Sequence, residues 1–354
     1  MLAMKVYVGL SGGVDSSVTA ARLIEAGHDV TGVYMKNWSK DLPGFDCPWK
    51  QDYQDAKRVA VDLNIPFKLY DFETEYRQRV VDYMLDGYKK GLTPNPDIMC
   101  NQEIKFKLFL DTSLADSAEM IATGHYAQVL QKEDSAELHM AADPDKDQTY
   151  FLYRVSEEAL ARSLMPIGEF ATKSDVRAEA RRLGLATAEK KDSQGICFVG
   201  KVGIKEFLLH EFGEQPHGVI RDQHGEAIGE HDGALFYTIG QRQGLGVGGG
   251  LPYYVTGKNM AKNEVYVTTD IQDPNLWNGE IRLTETHWIN EPPKPGKTYR
   301  VRTRHRAELV DAEVSSDDQG NYSLRLAQPI RALTPGQSTV LYDHTRVVGG
   351  GIVV

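Results

Sequence analysis

The stretch that most narrows what this chain can fold into is Val6-Tyr7-Val8-Gly9-Leu10-Ser11-Gly12-Gly13-Val14-Asp15-Ser16-Ser17. A short apolar run reads as a strand, breaks into Ser-Gly-Gly, and resumes as a helical pattern through Ala26. In such a turn the first N–H groups of the helix lack intrahelical partners and the helix dipole adds partial positive charge, so an anion is attracted there. Gly12 and Gly13 let the backbone approach a phosphate closely, with no Cβ in the way. Ser11, Ser16 and Ser17 add hydroxyl donors, while Asp15 is placed either to orient the turn or to meet a Mg²⁺ ion. The loop matches neither G-x-x-x-x-G-K-[ST] nor G-x-G-x-x-G. On these residues alone, a tight strand-to-helix turn with an Asp/Ser cap is the alternative.

At 354 residues the chain is too long for one ordinary core, which predicts two or three domains. Over its first third, strand-like segments (5–10, 29–35, 67–72, 119–124) alternate with helical ones (16–26, 52–63, 73–89, 102–114). That order predicts an α/β domain, a parallel sheet with helices on both faces. Ligands in such sheets bind beyond the strand C-termini, where the 11–16 loop, Met35 and Gly124 would converge. No apolar run approaches the about 18 residues that span a bilayer, and no signal-peptide pattern opens the chain, so no membrane partner is expected. Cys47, Cys100 and Cys197 are too few and too scattered for a disulfide framework. They point to a reducing, cytoplasmic setting, where a cysteine that matters is catalytic or metal-bound. Cys47 has no partner at metal-ligand spacing, and no protein metal site is expected.

Residues 91–101 contain Pro94, Asn95, Pro96, Asp97, Cys100 and Asn101. Two prolines two apart are expected to hold this stretch extended, with Asn101 as the N-cap of the next helix. Cys100 would then sit just before a helix N-terminus, a position that lowers a thiol pKa, with Asp97 on the same rigid loop. A plain buried cysteine beside a proline turn is the alternative. Further on, 137–141 reads as an edge strand, and 157–164 and 173–183 read as helices. Cys197 lies between Gly195 and Gly200, after Lys190 and Lys191. Its apolar flanks favour an inert buried thiol, yet paired with Cys100 it could perform thiol–disulfide chemistry.

The loop S-G-G-V-D-S (11–16) resembles the signature of PP-loop ATP pyrophosphatases, which grip the β,γ-pyrophosphate while ATP is split to AMP and pyrophosphate. It is followed in order by T-P-N-P-D-I-x-C-N (93–101), A-T-G-H-Y (122–126), K-D-Q-x-Y-F-L (146–152) and K-D-S-x-G-I-C-F (191–198). T-I-G-Q-R-x-G-L-G-V-G-G (238–249) and P-G-Q-S (335–338) complete the series. Together they resemble the tRNA-specific 2-thiouridylase family over nearly the whole chain. The resemblance implies ATP-dependent 2-thiolation of the wobble uridine, position 34, of tRNA, with ATP and Mg²⁺ as cofactors. It implies that Gly9, Leu10, Ser11, Gly12, Gly13, Val14, Asp15 and Ser16 bind ATP, with Met35 and Gly124 at the adenine. Asn95, Pro96 and Asp97 would meet the target base, and Cys100, Cys197 and Asp97 would be catalytic. Asp147, Gln148, Thr149, Arg304 and His305 would contact tRNA. The implied partners are the tRNAs for Glu, Gln and Lys, and a sulfur-carrier protein or cysteine desulfurase that supplies a persulfide.

Beyond about Gly203, glycine increases and β-branched and aromatic residues alternate between Gly/Asn/Asp turns, as in small β domains. The expected division is 1–202, a PP-loop catalytic domain; 203–272, a small β-rich central domain; and 273–354, a C-terminal tRNA-binding β-barrel of five or six strands. The net charge of −10 argues mildly against nucleic acid. From Lys294 to Arg306, however, Lys294, Lys297, Arg300, Arg302, Arg304 and Arg306 follow one another with no acid between them. On one extended strand the four arginines would share a face, and a phosphate backbone would relieve their repulsion. A charge-protected edge strand is the alternative. Two other activities stay open. A PP-loop ligase or amidotransferase acting on a small molecule would need neither cysteine nor an arginine strand. An RNA-binding protein could use the cysteines as a redox switch.

Overall fold

Strand β1 (Lys5–Gly9) lies in the middle of a parallel sheet because both of its faces are apolar: Val6, Tyr7 and Val8 are each buried. The computed structural model describes residues 3–41, 47–191, 203–248 and 250–354. From β1 the chain runs into α1 (Val14–Glu25), β2 (Asp29–Lys36), α2 (Trp49–Asp62) and β3 (Phe67–Asp71). Helix α3 (Glu73–Tyr76) passes through a π-helical turn, Arg77–Val81, into α4 (Asp82–Lys89). Helix α5 (Pro96–Met99) passes through a longer π-helical stretch, Cys100–Leu108, into α6 (Phe109–Ala115). Then come β4 (Met120–Ala122), the hairpin β5 (Ala127–Gln131) and β6 (Ala136–Met140), α7 (Glu157–Ala161), β7 (Ser163–Leu164) and α8 (Lys173–Arg182).

The sheet order is β3-β2-β1-β4-β7, every pairing parallel. Alternation along β1 sends Val6 and Val8 to a core shared with Ala20, Leu23, Val59 and Ala60 of α1 and α2. Tyr7 goes to the opposite core, with Val80, Met84, Ile104 and Phe109 from the helices of 73–115. The chain builds outward on one side of β1 with β2 and β3, then on the other with β4 and β7. The order therefore reverses between β1 and β4, and a crevice opens there at the strand C-termini.

After α9 (Ile204–Phe212), β8 (Gly218–Arg221), β9 (Ala227–His231), β10 (Tyr254–Asn259) and β11 (Glu264–Thr268) form a small sheet in the order β10-β11-β8-β9. The last unit comprises β12 (Trp277–Trp288), β13 (Thr298–Arg302), β14 (Val310–Ser316), β15 (Tyr322–Arg331), β16 (Ser338–Asp343) and β17 (Arg346–Val353). These six strands are antiparallel neighbours in the order β12-β15-β14-β13-β16-β17, and pairing of β12 with β17 closes them into a barrel. Ile281, Val301, Leu324 and Leu341 fill it. The architecture is the expected one: a parallel α/β domain, a β-rich middle and a β-barrel. No helix among the described residues is long and apolar enough to cross a membrane.

Three local expectations are corrected. Strand β6 is not an edge, since it pairs with β5 on one side and meets β17 at His139 and Arg346 on the other. The helix expected over 157–164 stops at Ala161, and Ser163–Leu164 joins the parallel sheet beside β4. The arginine run is not one strand. β13 ends at Arg302, and residues 303–306 turn, with Arg306 at φ +61°.

Arg302 shows why. It is buried, and its Nη1 donates to Asp147 Oδ2 at 2.9 Å. The Asp147 carboxylate is fully enclosed and also accepts from Ala141 N and from Thr149 Oγ1, and Thr149 Oγ1 lies 3.3 Å from the Tyr342 hydroxyl. This network joins the first domain to the barrel. Removing one partner strands a buried charge, at a cost of about 3–5 kcal/mol, whereas replacing both by apolar groups does not. Asp147→Ala is therefore expected to lower the thermal midpoint by several degrees, and Asp147→Leu/Arg302→Met to restore most of it, as read by calorimetry.

Candidate active site

The turn between β1 and α1 is built from constraints that only its own residues meet. Gly12 has φ +74°, and a Cβ there would lie 2.7 Å from Asp52 O and 3.0 Å from Asp55 Cβ at the start of α2. Gly13 is the N-cap of α1, and no side chain caps the helix. The hydroxyls brace the loop: Ser16 Oγ donates to Gly13 O at 3.1 Å and accepts from Ser11 N at 3.2 Å, and Ser17 Oγ donates to Gly13 O at 2.8 Å. Val14 is buried against α8, alongside Val176 and Ala180. Leu10 is buried against Gly32 of β2.

Across the crevice, β4 ends and Gly124 packs on α1. A Cβ on Gly124 would lie 2.8 Å from Ser16 N. From β2, Met35 reaches over Gly9, where a Cβ would meet Met35 Cε at 2.9 Å. The structure thus brings the 9–16 loop, Met35 and Gly124 into one crevice. Asp15 is held by two partners that the sequence does not announce. Lys173 Nζ donates to both of its oxygens, at 2.6 and 2.7 Å, and the Tyr126 hydroxyl donates to Oδ1 at 2.8 Å. One signal for the lysine exists: Lys173 opens α8, and a cation in a first helical turn opposes the helix dipole. Beside Gly12, Lys190 Nζ bonds Asp52 at 3.1 Å and Asp55 at 2.6 Å, holding down the chain just before residue 192.

The second half of the site departs from expectation. The helix starts at Pro96, not after Asn101. Asn95 is the N-cap, and its Oδ1 accepts from Asp97 N at 3.1 Å and Ile98 N at 3.4 Å. Proline is tolerated at the first helical position because no N–H is needed there. Asn101 is internal to the helix and donates from Nδ2 to Phe151 O at 3.1 Å. Cys100 therefore lies inside the helix and is 2% exposed, in the apolar core with Ile98 and Ile104. Cys197 lies outside the described residues.

Asp97 is half-buried, and burial pushes its carboxyl above the ordinary value while the nearby Lys105 charge pulls it back. Lys105 Nζ is 3.4 Å from His125 Nε2, and His125 Nδ1 is 2.8 Å from Thr123 Oγ1. Burial and the Lys105 charge both hold His125 well below the usual imidazole range, so it is neutral. Residues 124–126 thus join the two halves. Gly124 touches Ser16, Tyr126 touches Asp15, and His125 touches the helix that carries Asp97 and Cys100. Among the described residues, no three His, Cys, Asp or Glu side chains cluster as a metal site.

Asp147 and Thr149 are enclosed in the network with Arg302, and the half-buried Gln148 accepts at Oε1 from Tyr126 N at 2.9 Å. Arg304 is exposed, its Nη2 donating to Arg331 O at 3.1 Å. His305 packs on Phe151 with ring centroids 4.6 Å apart and the planes tilted by 42°, and burial first, then Arg306 and Arg302, lower its pKa.

Residues 4–201 match the family described as the tRNA methyl transferase HUP domain, 205–269 its PRC-barrel domain, and 278–353 the aminomethyltransferase beta-barrel domain. Proteins named tRNA-specific 2-thiouridylase MnmA are similar over their full length. That of Halalkalibacterium halodurans is 46% identical over 99% of this chain and 94% of its own. That of Methylobacillus flagellatus is 44% identical over 99% and 98%, and that of Listeria monocytogenes 44% over 99% and 94%.

The glycine contacts set a test of the crevice. Gly12→Ala and Gly124→Ala are each expected to abolish ATP binding in titration calorimetry while the circular dichroism spectrum is kept. Gly27→Ala, where φ is also positive but nothing lies within 4 Å of a Cβ, is expected to bind normally.

Proposed function

The chain belongs to the tRNA-specific 2-thiouridylase family, and we propose from this that it is a tRNA sulfurtransferase that uses ATP to 2-thiolate the wobble uridine, position 34. The observation that carries the reading is the tripeptide 124–126, which ties a phosphate-type loop to the helix bearing Asp97 and Cys100.

The chemistry requires such a pairing. The uracil C2 carbonyl has no leaving group, so sulfur cannot displace its oxygen directly. Transfer of AMP from ATP to O2 makes that oxygen a leaving group and releases pyrophosphate, which the uncapped N–H groups of α1 and the 11–16 loop would hold. Met35 and Gly124 would line the adenine. Mg²⁺ binds protein sites through one or two carboxylates and mainly through substrate phosphates. Asp15 fits that role as the carboxylate of the loop, and Lys173 beside it would neutralise phosphate charge. When bound, the ion supplies electrostatic relief at the phosphates.

Sulfur would arrive as a persulfide on Cys197, loaded by a sulfur-carrier protein or cysteine desulfurase. The Cys100 thiolate attacks the Cys197 sulfur, forming a Cys100–Cys197 disulfide and expelling the outer sulfur as hydrosulfide. That sulfur attacks C2 and displaces AMP, so two cysteines are oxidised as one sulfur is reduced, and a two-electron reductant resets the pair. Asp97 would manage the N3 proton, with Asn95 and Pro96 framing a base flipped out of the anticodon loop. Arg304 and His305 would meet the tRNA. A cleft of about 290 Å³ lined by Pro144, Asp145, Lys146, Arg302 and Arg306 would present Lys146 and Arg306 to its phosphates, Arg302 there being paired with Asp147. The tRNAs for Glu, Gln and Lys are the proposed substrates.

Incubation of the protein with tRNA, ATP–Mg²⁺ and a persulfide donor is expected to yield 2-thiouridine in nucleoside mass spectrometry. Its absence overturns the reading. Cys100→Ser and Cys197→Ser should each abolish the product; turnover at the wild-type rate in either would instead favour a ligase that needs no cysteine.

Asp97 also sets a pH test. If its ionised form accepts the proton, the rate falls as pH drops through its pKa, which burial has raised above 3.8. Lys105→Met removes the charge that pulls this pKa down, so the acid limb of the kcat–pH profile should move to higher pH.

A further inference from the structure

We propose that Lys105 is a further catalytic residue: its ammonium, resting on His125 at the junction of the two halves of the crevice, meets the phosphate of the AMP group that is transferred to the uracil and then displaced from it. The inference rests on the reading of the reaction as adenylation followed by sulfur transfer. Lys105 lies in the π-helical stretch, one turn along from Cys100. The buried Ile104 and Phe106 flank it, while Lys107 and Glu103 pair with each other at 3.1 Å.

What sets Lys105 apart is its partner. Lys36, Lys68, Lys173 and Lys190 are half-buried, as Lys105 is, and each holds a carboxylate. Among the described residues Lys105 forms no ion pair, and its ammonium lies 3.4 Å from His125 Nε2. An ammonium can only donate, so Nε2 accepts and the ring proton sits on Nδ1, 2.8 Å from Thr123 Oγ1. The buried imidazole packs on Phe106 with ring centroids 5.6 Å apart, and it carries no charge to offset the lysine. A neutral ring thus engages one N–H of the ammonium and leaves the others for an anion. A half-buried cation without a counter-ion bears a desolvation cost that a bound anion offsets.

For O2 to attack, the α-phosphorus must come within bonding reach of the uracil. Under the adenylation reading the adenine lies against Met35 and Gly124, the β,γ-phosphates lie on the 11–16 loop and the uracil lies by Asp97. The α-phosphate then falls at the junction between the halves, which residues 124–126 form. Lys105 stands there, resting on the neighbour of Gly124 with its charge acting on Asp97. In the first step the bond from O2 to phosphorus forms as the bond to the bridging oxygen breaks, and pyrophosphate takes the electron pair. In the second the hydrosulfide sulfur bonds to C2, the C2–O2 bond breaks, and its electron pair leaves on the AMP phosphate. That phosphate gains negative charge as it departs, so a fixed cation stabilises the departure more than the ground state. Lys105 keeps its proton throughout.

The test uses the full-length protein with Lys105→Met and Lys105→Arg. Titration calorimetry with AMP and with adenosine reads the phosphate by difference. Lys105→Met is expected to weaken AMP binding about 10-fold and leave adenosine unchanged, and Lys105→Arg, which keeps the charge, to recover most of the loss. In single turnovers at saturating tRNA and ATP–Mg²⁺, Lys105→Met should slow 2-thiouridine formation about 100-fold while the pyrophosphate burst is kept, so that adenylated tRNA accumulates. An unchanged AMP affinity in Lys105→Met overturns the proposal. So does an equal loss in Lys105→Arg, which would make the role one of shape rather than charge. A weaker Kd for tRNA with the saturated rate intact also overturns it and makes Lys105 a contact to the tRNA backbone. Should Lys105→Met fail to fold, Lys105→Gln takes its place. If the wild-type protein made no 2-thiouridine, the adenylation reading would fail by itself, and the comparison of AMP with adenosine would still judge Lys105.

Discussion

Gly124 has no side chain, and the first turn of α1 occupies the place where one would be. That backbone-to-backbone approach sets the geometry of the crevice. It draws the end of β4 against the loop that follows β1, at the point where the sheet order reverses. The two residues after Gly124 then have nowhere to point but to opposite halves of the site. Tyr126 reaches Asp15 on the loop, and His125 reaches Lys105 on the helix behind it. With a larger residue at 124, the end of β4 would be pushed off the first turn of α1, and the links from Tyr126 to Asp15 and from His125 to Lys105 would be disturbed.

The accessory domains are fastened to this arrangement by polar contacts that are satisfied internally. Asp147 and Arg302 form an enclosed ion pair between the first domain and the barrel, and the Tyr150 hydroxyl, donating to Ser338 O at 3.0 Å, lies close by. A buried pair contributes little net stability against an apolar replacement, but it penalises any other docking that would leave one charge alone. The 91–94 segment supplies the second fastening, where the first domain, the small sheet and the barrel all touch. Two attachments far apart in sequence, one on each side of the cysteine helix, restrict how the barrel can sit relative to the crevice.

The arginine run shows how charge in sequence differs from charge in space. Arg300, at the surface, donates from Nη2 to His344 O at 2.7 Å, while Arg302 is buried on Asp147 and Arg304 and Arg306 lie on a turn. The like-charge repulsion that seemed to demand a phosphate is relieved in part by an acid 155 residues away. The family resemblance implies a tRNA contact at Asp147; the fold encloses its carboxylate and pairs it with Arg302.

Local chemistry makes much of this protein readable before folding is considered. Alternating strand and helix patterns dictate a parallel sheet, Gly12 and Gly13 an uncapped helix start, and the Gly/Asn/Asp turns a β-rich second half, because each depends on neighbours within a few residues. The N-cap lies at Asn95, six residues before the expected Asn101, since Pro96 is as compatible with a first helical position as with an extended chain. Which distant segments meet could not be read, even where, as at Lys173, a cation in a first helical turn is out of place. Lys173 on Asp15, Lys190 on Asp52 and Asp55, Arg302 on Asp147 and Gln337 on Thr93 each join residues more than 130 positions apart. Residue type and spacing along the chain specify which elements form and what chemistry each can offer. Which charge meets which, and whether two reactive groups face one cavity, depends on packing between elements, and that information exists only once the chain has folded.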